Sequence, residues 1–418
     1  MKNDSGPRIF LANQAQFEGI RTNLGERAIF SQMLKEIREH IPDAEISVLS
    51  SDLAYTKGTF NVLAVPLGGV RGAMNTLSAI FGCDVLIVGG GELIQDKSSL
   101  AMIPYILMRP SIAKILGKKV VAYGVGIGED DEITSFGKLL SRLVMNKFDL
   151  ITTRDTKSTE MLANMRINKP EIIQAADVAN NLVPCHRERA EAILAKEGVY
   201  DIRRPKVTFS MRSVFHRTHS VLPFSYRKKL GLLPLEYHEK IKEFKQIIAQ
   251  AADYVIEKYG ADVLFIPAYK GEKLSAMDDT FSMEIIQIMK NKNQAFLIRG
   301  DYEPEEIKGL FSLAELLVAV PLHSLILSGS SGIPLIDINY ASKGKAYMEQ
   351  IGQEKYILHA ENPSDNIELD ALINMIDDVW LNRRSIKETI NQKNKIIFKM
   401  AELNIEKLAE LVYSEGVT

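Results

Sequence analysis

The sequence has few of the features that mark secreted, zinc-binding or membrane-spanning proteins. Among 418 residues it holds 2 cysteines, Cys83 and Cys185, without Cys-x-x-Cys or Cys/His spacing. This argues against a disulfide framework and a structural zinc site. No run of about 18 uncharged apolar residues is present, and the N-terminal segment lacks the long apolar core of a signal peptide. We therefore expect a cytoplasmic protein.

The chain also lacks the charge pattern and the phosphate loops of several common protein classes. Its 51 basic and 53 acidic residues give a net charge of −2, and the signs are interspersed. No basic stripe is present, so no nucleic-acid partner is expected. No Gly-x-Gly-x-x-Gly or Gly-x-x-x-x-Gly-Lys-Ser/Thr motif occurs, which argues against dinucleotide and P-loop chemistry. No cofactor is expected.

What is present is a regular alternation of strands and helices. Short apolar runs predict strands at 8–13, 45–50, 84–90, 119–126, 150–155, 171–177, 206–211, 262–268, 294–300, 316–320 and 334–340. Segments with helical spacing separate them, which predicts parallel sheets with helices on both faces. The length is too great for one ordinary core. We predict an α/β fold of two Rossmann-like, doubly wound parallel-sheet domains that face a cleft.

A charged segment at 184–205 interrupts the alternation and marks the predicted domain boundary. We place an N-terminal domain at 1–190, a C-terminal domain at 205–365, and C-terminal helices at 366–418. The apolar stretch 100–119 carries basic residues, and a buried helix is favoured there over a membrane-facing one.

Several polar or glycine-rich stretches follow predicted strands, where ligands bind in such folds. The sequence GGGELIQD at 89–96 is either a tight turn or, as we favour, a ligand-lining loop, because glycines let a backbone approach a ligand closely. Arg154, Asp155 and Asp177 also end strands. We expect Arg154 and Asp155 to form a structural ion pair.

The segment SMRSVFHRTHS at 210–220 is the richest cationic cluster. His216 and His219 could bind a metal, but no carboxylate or cysteine joins them, so a loop with an anion-binding arginine is favoured and no metal site is predicted. Asp278 and Asp279 are predicted to cap a helix or to lie in a loop.

His323 is the remaining candidate, because it begins a predicted helix directly after a strand and before the sequence SGSSG. A lone histidine is more often structural, yet this position favours a functional role.

In order and spacing, these stretches resemble the polysaccharide pyruvyl transferase family over roughly residues 17–352. NLGERA (23–28) resembles its Asn-x-Gly-Asp/Glu-x-Ala opening. GGGELIQD resembles its Gly-Gly-Gly-Ser-x-x-Gln-Asp segment, and YGVGIG and TRDTKS resemble two further motifs. HSLILSGSSGIP (323–334) resembles its Arg-x-His-Ser-Leu-Ile signature, and a tyrosine and a lysine follow the next strand.

The resemblance implies a glycosyltransferase-B-like fold and transfer of a pyruvyl ketal from phosphoenolpyruvate to a cell-surface saccharide or its lipid-linked precursor. It further implies a role in cell-envelope polysaccharide biosynthesis, with peripheral association at the inner membrane face. The catalytic residues that it implies are His323 and Arg212. The implied donor-binding residues are Arg217, Ser324, Lys343 and Gly329. The implied acceptor-binding residues are Asn23, Gly90, Gly91, Glu92 and Asp96.

The sequence departs from the family pattern at three positions. Pro321 replaces the arginine of Arg-x-His, Glu92 replaces the serine of the triple-glycine motif, and Ala341 replaces an aspartate. Losing a charge-assisted contact to an anion costs about 1.5–3 kcal/mol. Three hypotheses therefore stay open: a pyruvyl transferase in which Arg212, Arg217 or Lys343 compensates, a glycosyltransferase that uses a nucleotide-sugar donor, and a non-catalytic saccharide-binding protein. The oligomeric state is left open.

Overall fold

The computed structural model describes residues 6–12, 23–96, 99–213, 230–232, 235–269, 278–339, 342–360 and 367–414. These residues form two compact units. The first unit comprises the described residues of Met1–Thr22, Glu26–Asn181 and Phe398–Thr418. The second comprises those of Asn23–Gly25 and Leu182–Ile397.

The first unit is built on a parallel sheet with the strand order β3-β2-β1-β4-β5-β6-β7. Its strands are β1 (Arg8–Leu11), β2 (Glu45–Ser50), β3 (Leu63–Pro66), β4 (Val85–Ile94), β5 (Lys119–Ile127), β6 (Leu150–Thr153) and β7 (Glu171–Gln174). The chain winds outwards in one direction from β1 to β3 and in the other from β4 to β7. This is the doubly wound arrangement that the strand–helix alternation predicts.

Helices cover both faces of this sheet. Successive strand residues point to opposite sides, so each face presents apolar side chains that a layer of helices buries. The helices are α1 (Leu24–His40), α2 (Leu53–Phe60), α3 (Gly69–Gly82), α4 (Met102–Ile115), α5 (Ser135–Met145) and α6 (Thr156–Asn164). Phe10 belongs to a core that includes residues of α3, α4, α5 and α6. Its neighbours Ile9 and Leu11 belong to the opposite core, which includes residues of α1.

The second unit has a parallel sheet with the order β10-β9-β8-β11-β12-β13. Its strands are β8 (Lys206–Ser210), β9 (Asp262–Phe265), β10 (Ala295–Leu297), β11 (Leu316–Ala319), β12 (Leu335–Asn339) and β13 (Ile357–His359). Strands β8, β9, β11 and β12 are buried throughout, as expected of parallel strands covered on both faces. The order again reverses, here between β8 and β11.

The helices of the second unit are α7 (Arg187–Lys196), α8 (Leu235–Tyr259), α9 (Asp278–Ile288), α10 (Pro304–Ser312), α11 (Leu322–Gly329) and α12 (Ser342–Gln350). The last helix, α13 (Leu369–Tyr413), is continuous over 45 residues. Its residues from Phe398 onwards group with the first unit, where Ile405 and Leu408 join the core on the α1 side. Asn404 also donates to the Ala176 carbonyl there, at 2.9 Å.

The prediction of two doubly wound parallel α/β domains is confirmed. In the structure Asn23–Gly25 and Leu182–Ile397 group as the second unit, and the end of α13 groups with the first. The boundaries given from the sequence stay a prediction. No helix among the described residues is long and apolar enough to cross a membrane.

Candidate functional site

The strand order of the second unit reverses between β8 and β11, and a reversal of this kind opens a crevice beside the carboxyl ends of the two strands. Two predicted catalytic residues lie there. Arg212 follows β8 by two residues, and His323 is the second residue of α11, directly after β11. A hydrogen bond of 2.8 Å between the hydroxyls of Ser210 and Ser324 ties the two chain segments together.

The start of α11 places His323 at this strand end. Pro321 is the N-cap of α11, in extended backbone conformation, and its carbonyl accepts from the amides of Ser324 and Leu325 at 3.1 and 3.4 Å. A proline suits a helix start because the first amides of a helix have no partner within it. The imidazole of His323 is half-buried. Pro321 therefore supports the helix without supplying the cation of the family motif.

The ring of His323 lies against the backbone of Gly25. A methyl group built on Gly25 would lie 2.0 Å from Nδ1 and 2.3 Å from Cγ of the imidazole. Cβ atoms essentially never approach other heavy atoms within 3.0 Å. Only glycine therefore fits beside this histidine, and the sequence analysis did not single it out. The signal was available, since Gly25 is the glycine of the NLGERA motif.

The segment Asn23–Gly25 is fixed to the second unit by its backbone. The amide of Leu24 donates to the Ala268 carbonyl at 2.8 Å, and Asn23 forms an antiparallel bridge with Tyr269. The side-chain oxygen of Asn23 accepts from the Gly25 amide at 3.1 Å and so caps α1. Asn23, which the resemblance assigns to the acceptor, lies on the same unit as His323.

Arg212 is held by a buried carboxylate. Its Nε and Nη2 atoms each donate to Asp278 at 3.0 Å, in the bidentate geometry typical of strong arginine–carboxylate pairs. Asp278 is 1% exposed, whereas a quarter of the Arg212 side chain reaches solvent. Burial raises the pKa of Asp278, and the guanidinium opposes that increase. The charge of Arg212 is thus largely balanced within the protein.

Two of the predicted donor-binding residues lie in the packed interior. Ser324 is fully buried, and its hydroxyl pairs with that of Ser210, which in turn contacts the Ile266 carbonyl at 2.8 Å. Gly329 ends α11. A methyl group there would lie 2.5 Å from the hydroxyl oxygen of Tyr347. Both positions hold α11 in place, and their assignment to the donor stays a prediction.

Lys343 is the second residue of α12, after the end of β12. It is half-buried, and burial lowers its pKa to about 8. It is therefore still mainly charged at pH 7, as a cation for an anionic ligand must be. Its neighbour Gly344 leaves room for the carboxylate of Asp337, whose Oδ2 would lie 2.2 Å from an added methyl group. Arg217, His216, His219 and Ala341 lie outside the described residues.

In the first unit, the triple-glycine stretch is not a loop. It belongs to β4, which continues to Ile94 and pairs with β5 on both sides of Gly90, with a register shift between Glu92 and Ile94. Gly90 and Gly91 have φ angles of 54° and 77°, which glycine adopts without strain. A methyl group on Gly90 would also lie 2.2 Å from Cγ2 of Ile29 on α1. The glycines thus allow a kinked strand to pack closely against a helix, which apolar periodicity alone did not indicate.

The two acidic residues assigned to the acceptor have different surroundings. Glu92 is half-buried in β4, where the register with β5 begins to shift. Asp96 is 4% exposed, and its carboxylate accepts from both the amide and the hydroxyl of Thr134, the N-cap of α5, at 2.9 and 2.5 Å. Asp96 therefore fixes the start of α5.

The ion pair predicted at the ends of β6 and β7 is present. Arg154 is 6% exposed and lies 3.4 Å from Asp155 and 3.7 Å from Asp177. Its guanidinium packs over Gly126, where a methyl group would lie 2.7 Å from Cζ. Asp155 also caps α6, because it accepts from the Ser158 amide at 2.7 Å. These contacts support the structural role favoured from the sequence.

Among the described residues, no group of three or more histidine, cysteine, aspartate or glutamate side chains could hold a metal ion. The site at the end of β8 and β11 thus offers an imidazole, a guanidinium paired with a carboxylate and, beyond β12, a lysine. Such groups suit proton transfer and the binding of an anion.

Comparison with known proteins identifies the family of the chain. The model of the polysaccharide pyruvyl transferase family matches residues 23–342. The amylovoran biosynthesis protein AmsJ of Erwinia amylovora is 20% identical over 311 residues, which cover 73% of this chain and 68% of the relative.

Two solved structures illustrate the fold. Anabaena Alr3699/HepE in complex with UDP-glucose has a TM-score of 0.59 at 13% identity, and the match covers 98% of this chain and 100% of the Anabaena chain. The UDP-GlcNAc 2-epimerase of Neisseria meningitidis, bound to UDP-GlcNAc, has a TM-score of 0.58 at 11% identity. That match covers 96% of this chain and 99% of the epimerase chain. At these identities the likeness establishes the fold alone.

Proposed function

Because the chain belongs to the polysaccharide pyruvyl transferase family, we propose that it transfers a pyruvyl group from phosphoenolpyruvate to a saccharide, forming a cyclic ketal. The observation that carries the proposal is the position of His323. It lies within the residues matched by the family model, at the reversal point of the second sheet and beside the strand end that carries Arg212. The fold alone would not define the reaction, but the presence of His323 in a motif of the family favours pyruvyl transfer.

The proposed donor is strongly anionic, since it carries a carboxylate and a phosphate. Pro321 supplies no cation, and the charge of Arg212 is largely balanced by Asp278. Lys343, with a pKa of about 8, remains mainly charged at pH 7. We therefore assign the main anion-binding role to Lys343, with Arg217 as a second donor ligand. Arg212 contributes hydrogen bonds in an orientation that Asp278 fixes.

In the proposed reaction, His323 donates a proton to the methylene carbon of phosphoenolpyruvate, which becomes a methyl group. The adjacent carbon becomes an oxocarbenium ion, and a sugar hydroxyl adds to it. The C–O bond to phosphate then breaks and phosphate leaves with the bonding electron pair. A second hydroxyl of the same sugar closes the ketal. Of the two hydroxyl protons, one restores His323 and the other leaves with phosphate. Cationic groups stabilise the leaving phosphate.

The proposed acceptor is a saccharide of the cell envelope or its lipid-linked precursor, met by a cytoplasmic enzyme at the inner membrane face. Asn23, Glu92, Gly90, Gly91 and Asp96 are the acceptor residues that the resemblance implies. The capping role of Asn23 and the buried position of Asp96 favour Glu92 as the group that contacts the acceptor directly.

A nucleotide-sugar donor is the second candidate. It is favoured by the absence of a cation at Pro321 and by the balanced charge of Arg212, which both weaken the case for phosphoenolpyruvate. The likeness in fold to proteins solved with UDP-glucose and UDP-GlcNAc makes such donors the natural alternative to test.

The test measures phosphate release from phosphoenolpyruvate with a panel of 4-nitrophenyl glycosides as acceptors, and the mass gain of the ketal product. We expect turnover in the wild-type protein and its loss in His323→Gln, which keeps a polar side chain of similar size. His359→Gln is the matched control, because His359 is exposed on β13. Turnover that survives in His323→Gln would contradict the mechanism. Release of UDP from UDP-glucose without release of phosphate from phosphoenolpyruvate would favour the second candidate.

A further inference from the structure

Helix α3 of the first unit turns its large apolar side chains outwards. Val70, Met74, Leu77 and Phe81 are spaced by three or four residues and therefore lie on one side of the helix. Their exposed fractions are between 41% and 80%. The buried side of the same helix carries Gly72, Thr76 and Ile80. An ordinary surface helix shows the opposite pattern, with its apolar stripe towards the core.

Helix α5 has the same inverted pattern. Phe136, Leu139 and Leu143 are 62%, 53% and 58% exposed, whereas the buried residues are Gly137, Ser141 and Met145. Helix α4, which packs against α5, buries several aliphatic residues and exposes others. Those exposed are Tyr105, Met108 and Ile115, and Leu100 lies just before the helix.

These three helices lie on the same face of the first sheet. All three contribute to the core that contains Phe10, through residues such as Ile80 of α3, Ile106 of α4 and Met145 of α5. They connect β3 to β4, β4 to β5 and β5 to β6, so they follow the strand order across the sheet. Eleven of the 24 large hydrophobic residues found exposed in the described part of the chain belong to this one face. A concentration of this kind marks an interaction surface.

The charges on the same helices are all positive. The three helices hold 39 residues and no aspartate or glutamate, whereas the composition of the chain, 53 in 418, would give about five. Their cations are Arg71, Arg109, Lys114, Lys138 and Arg142. Lys114 and Lys138 pair with carboxylates outside the helices, while Arg71 and Arg142 are exposed.

We propose that the exposed face of α3, α4 and α5 binds the surface of an anionic lipid bilayer. Apolar side chains among cations, with no carboxylate in the helices, match the acyl boundary and the negative headgroups of such a membrane. Tyr105 adds the amphipathic ring that favours an interface, and the guanidinium of Arg109 lies over it at 4.7 Å. A second copy of the chain matches less well, because a twofold contact would oppose cations to cations. The proposal does not rest on the reaction that the site catalyses.

The test is flotation of the full chain with vesicles of phosphatidylcholine, with and without phosphatidylglycerol. One variant removes apolar surface: Met74→Gln, Leu139→Gln and Leu143→Gln together. Glutamine is a good helix former, so the helices are retained. The matched control is Ile288→Gln, Leu381→Gln and Ile396→Gln, which alters similarly exposed helical residues of the second unit, at 50%, 78% and 61%. Melting temperatures verify that all three proteins are folded.

We expect the wild-type protein and the control to float with the anionic vesicles and not with phosphatidylcholine alone. The first variant should bind more than about tenfold more weakly, since each buried methylene contributes about 0.8 kcal/mol. Arg71→Gln with Arg142→Gln should also weaken binding, and salt should weaken it in the wild type. Equal flotation of the variant and the control would overturn the proposal. Failure of the wild-type protein to float with the anionic vesicles would also overturn it, and a wild-type dimer in light scattering that the variant dissociates would then identify a second copy as the partner.

Discussion

The contact between Gly25 and His323 leads to the sharpest prediction. In Gly25→Ala, the new methyl group would lie 2.0 Å from Nδ1 of the imidazole, whereas ordinary contact begins at 3.4 Å. The ring must therefore retreat by about 1.4 Å, the difference between these distances, or the start of α1 must move. A displacement of about 1 Å in a catalytic group costs on the order of 100-fold in rate. We expect kcat/KM to fall by about that factor.

The effect on stability separates crowding from a general loss of fold. An alanine at a helical glycine normally stabilises by about 0.5–1 kcal/mol, but crowding a packed position costs about 1–3 kcal/mol. The control is Gly58→Ala on α2, where a methyl group meets no atom within 4 Å. That variant should keep full activity and equal or greater stability. Urea unfolding and the phosphate-release assay measure both quantities.

A double variant tests whether the effect passes through the imidazole. In His323→Ala the ring is absent, so adding Gly25→Ala should no longer carry the crowding penalty in the free energy of unfolding. A folded Gly25→Ala protein with wild-type kcat/KM would refute the reasoning. So would an additive loss of unfolding free energy in the double variant, because it would mean that the methyl group on Gly25 acts independently of His323.

Three further predictions follow from buried charges. Asp278→Asn leaves the guanidinium of Arg212 without its carboxylate, so the free energy of unfolding measured in urea should fall by about 2–4 kcal/mol. The control Asp279→Asn, at a more exposed position, should change it by less than about 0.5 kcal/mol. Because burial lowers the pKa of Lys343 to about 8, this amine is about half protonated at pH 8. Binding of anionic phosphoenolpyruvate at that pH should therefore take up about half a proton, which calorimetry in two buffers measures. Lys343→Met should abolish the uptake. Burial raises the pKa of Glu36 to about 7, above the ordinary value of about 4.3, so the folded state binds the proton more tightly than the unfolded one. The contribution of Glu36 to stability should therefore be greatest below about pH 4 and should be lost, by about 3 kcal/mol, as the pH rises through 7. Urea unfolding of the wild type and of Glu36→Gln over this pH range isolates that contribution as the difference between the two proteins.

Much of the fold could be predicted from the sequence because its strands are buried on both faces. Continuous apolar runs such as KVTFSM at 206–211 correspond to strands, here β8 (Lys206–Ser210). Alternation of such runs with helical segments indicates a doubly wound sheet without further information. The glycines of β4 were misread as a loop because glycine normally ends a strand. The strand continues here because β5 pairs with Gly89 and Gly91, on either side of Gly90.

The site was less predictable, because its contacts join residues far apart in the chain. Arg212 and Asp278 are 66 residues apart, and the role of Asp278 as the partner of Arg212 depends on where β8 and α9 lie in the folded unit. Gly25 and His323 belong to motifs at opposite ends of the family match. The inverted faces of α3 and α5 were also missed. Their periodicity is helical in either orientation, and only packing against the sheet determines which side is buried.

The most direct test of the central claim is a calorimetric titration of the wild-type protein with phosphoenolpyruvate and, separately, with UDP-glucose. Neither titration requires knowledge of the acceptor. We expect saturable binding of phosphoenolpyruvate, weakened in Lys343→Met and retained in Lys343→Arg, and no heat with UDP-glucose. Binding of UDP-glucose without binding of phosphoenolpyruvate would contradict the proposed reaction and would mean that the site at His323 takes a nucleotide-sugar donor.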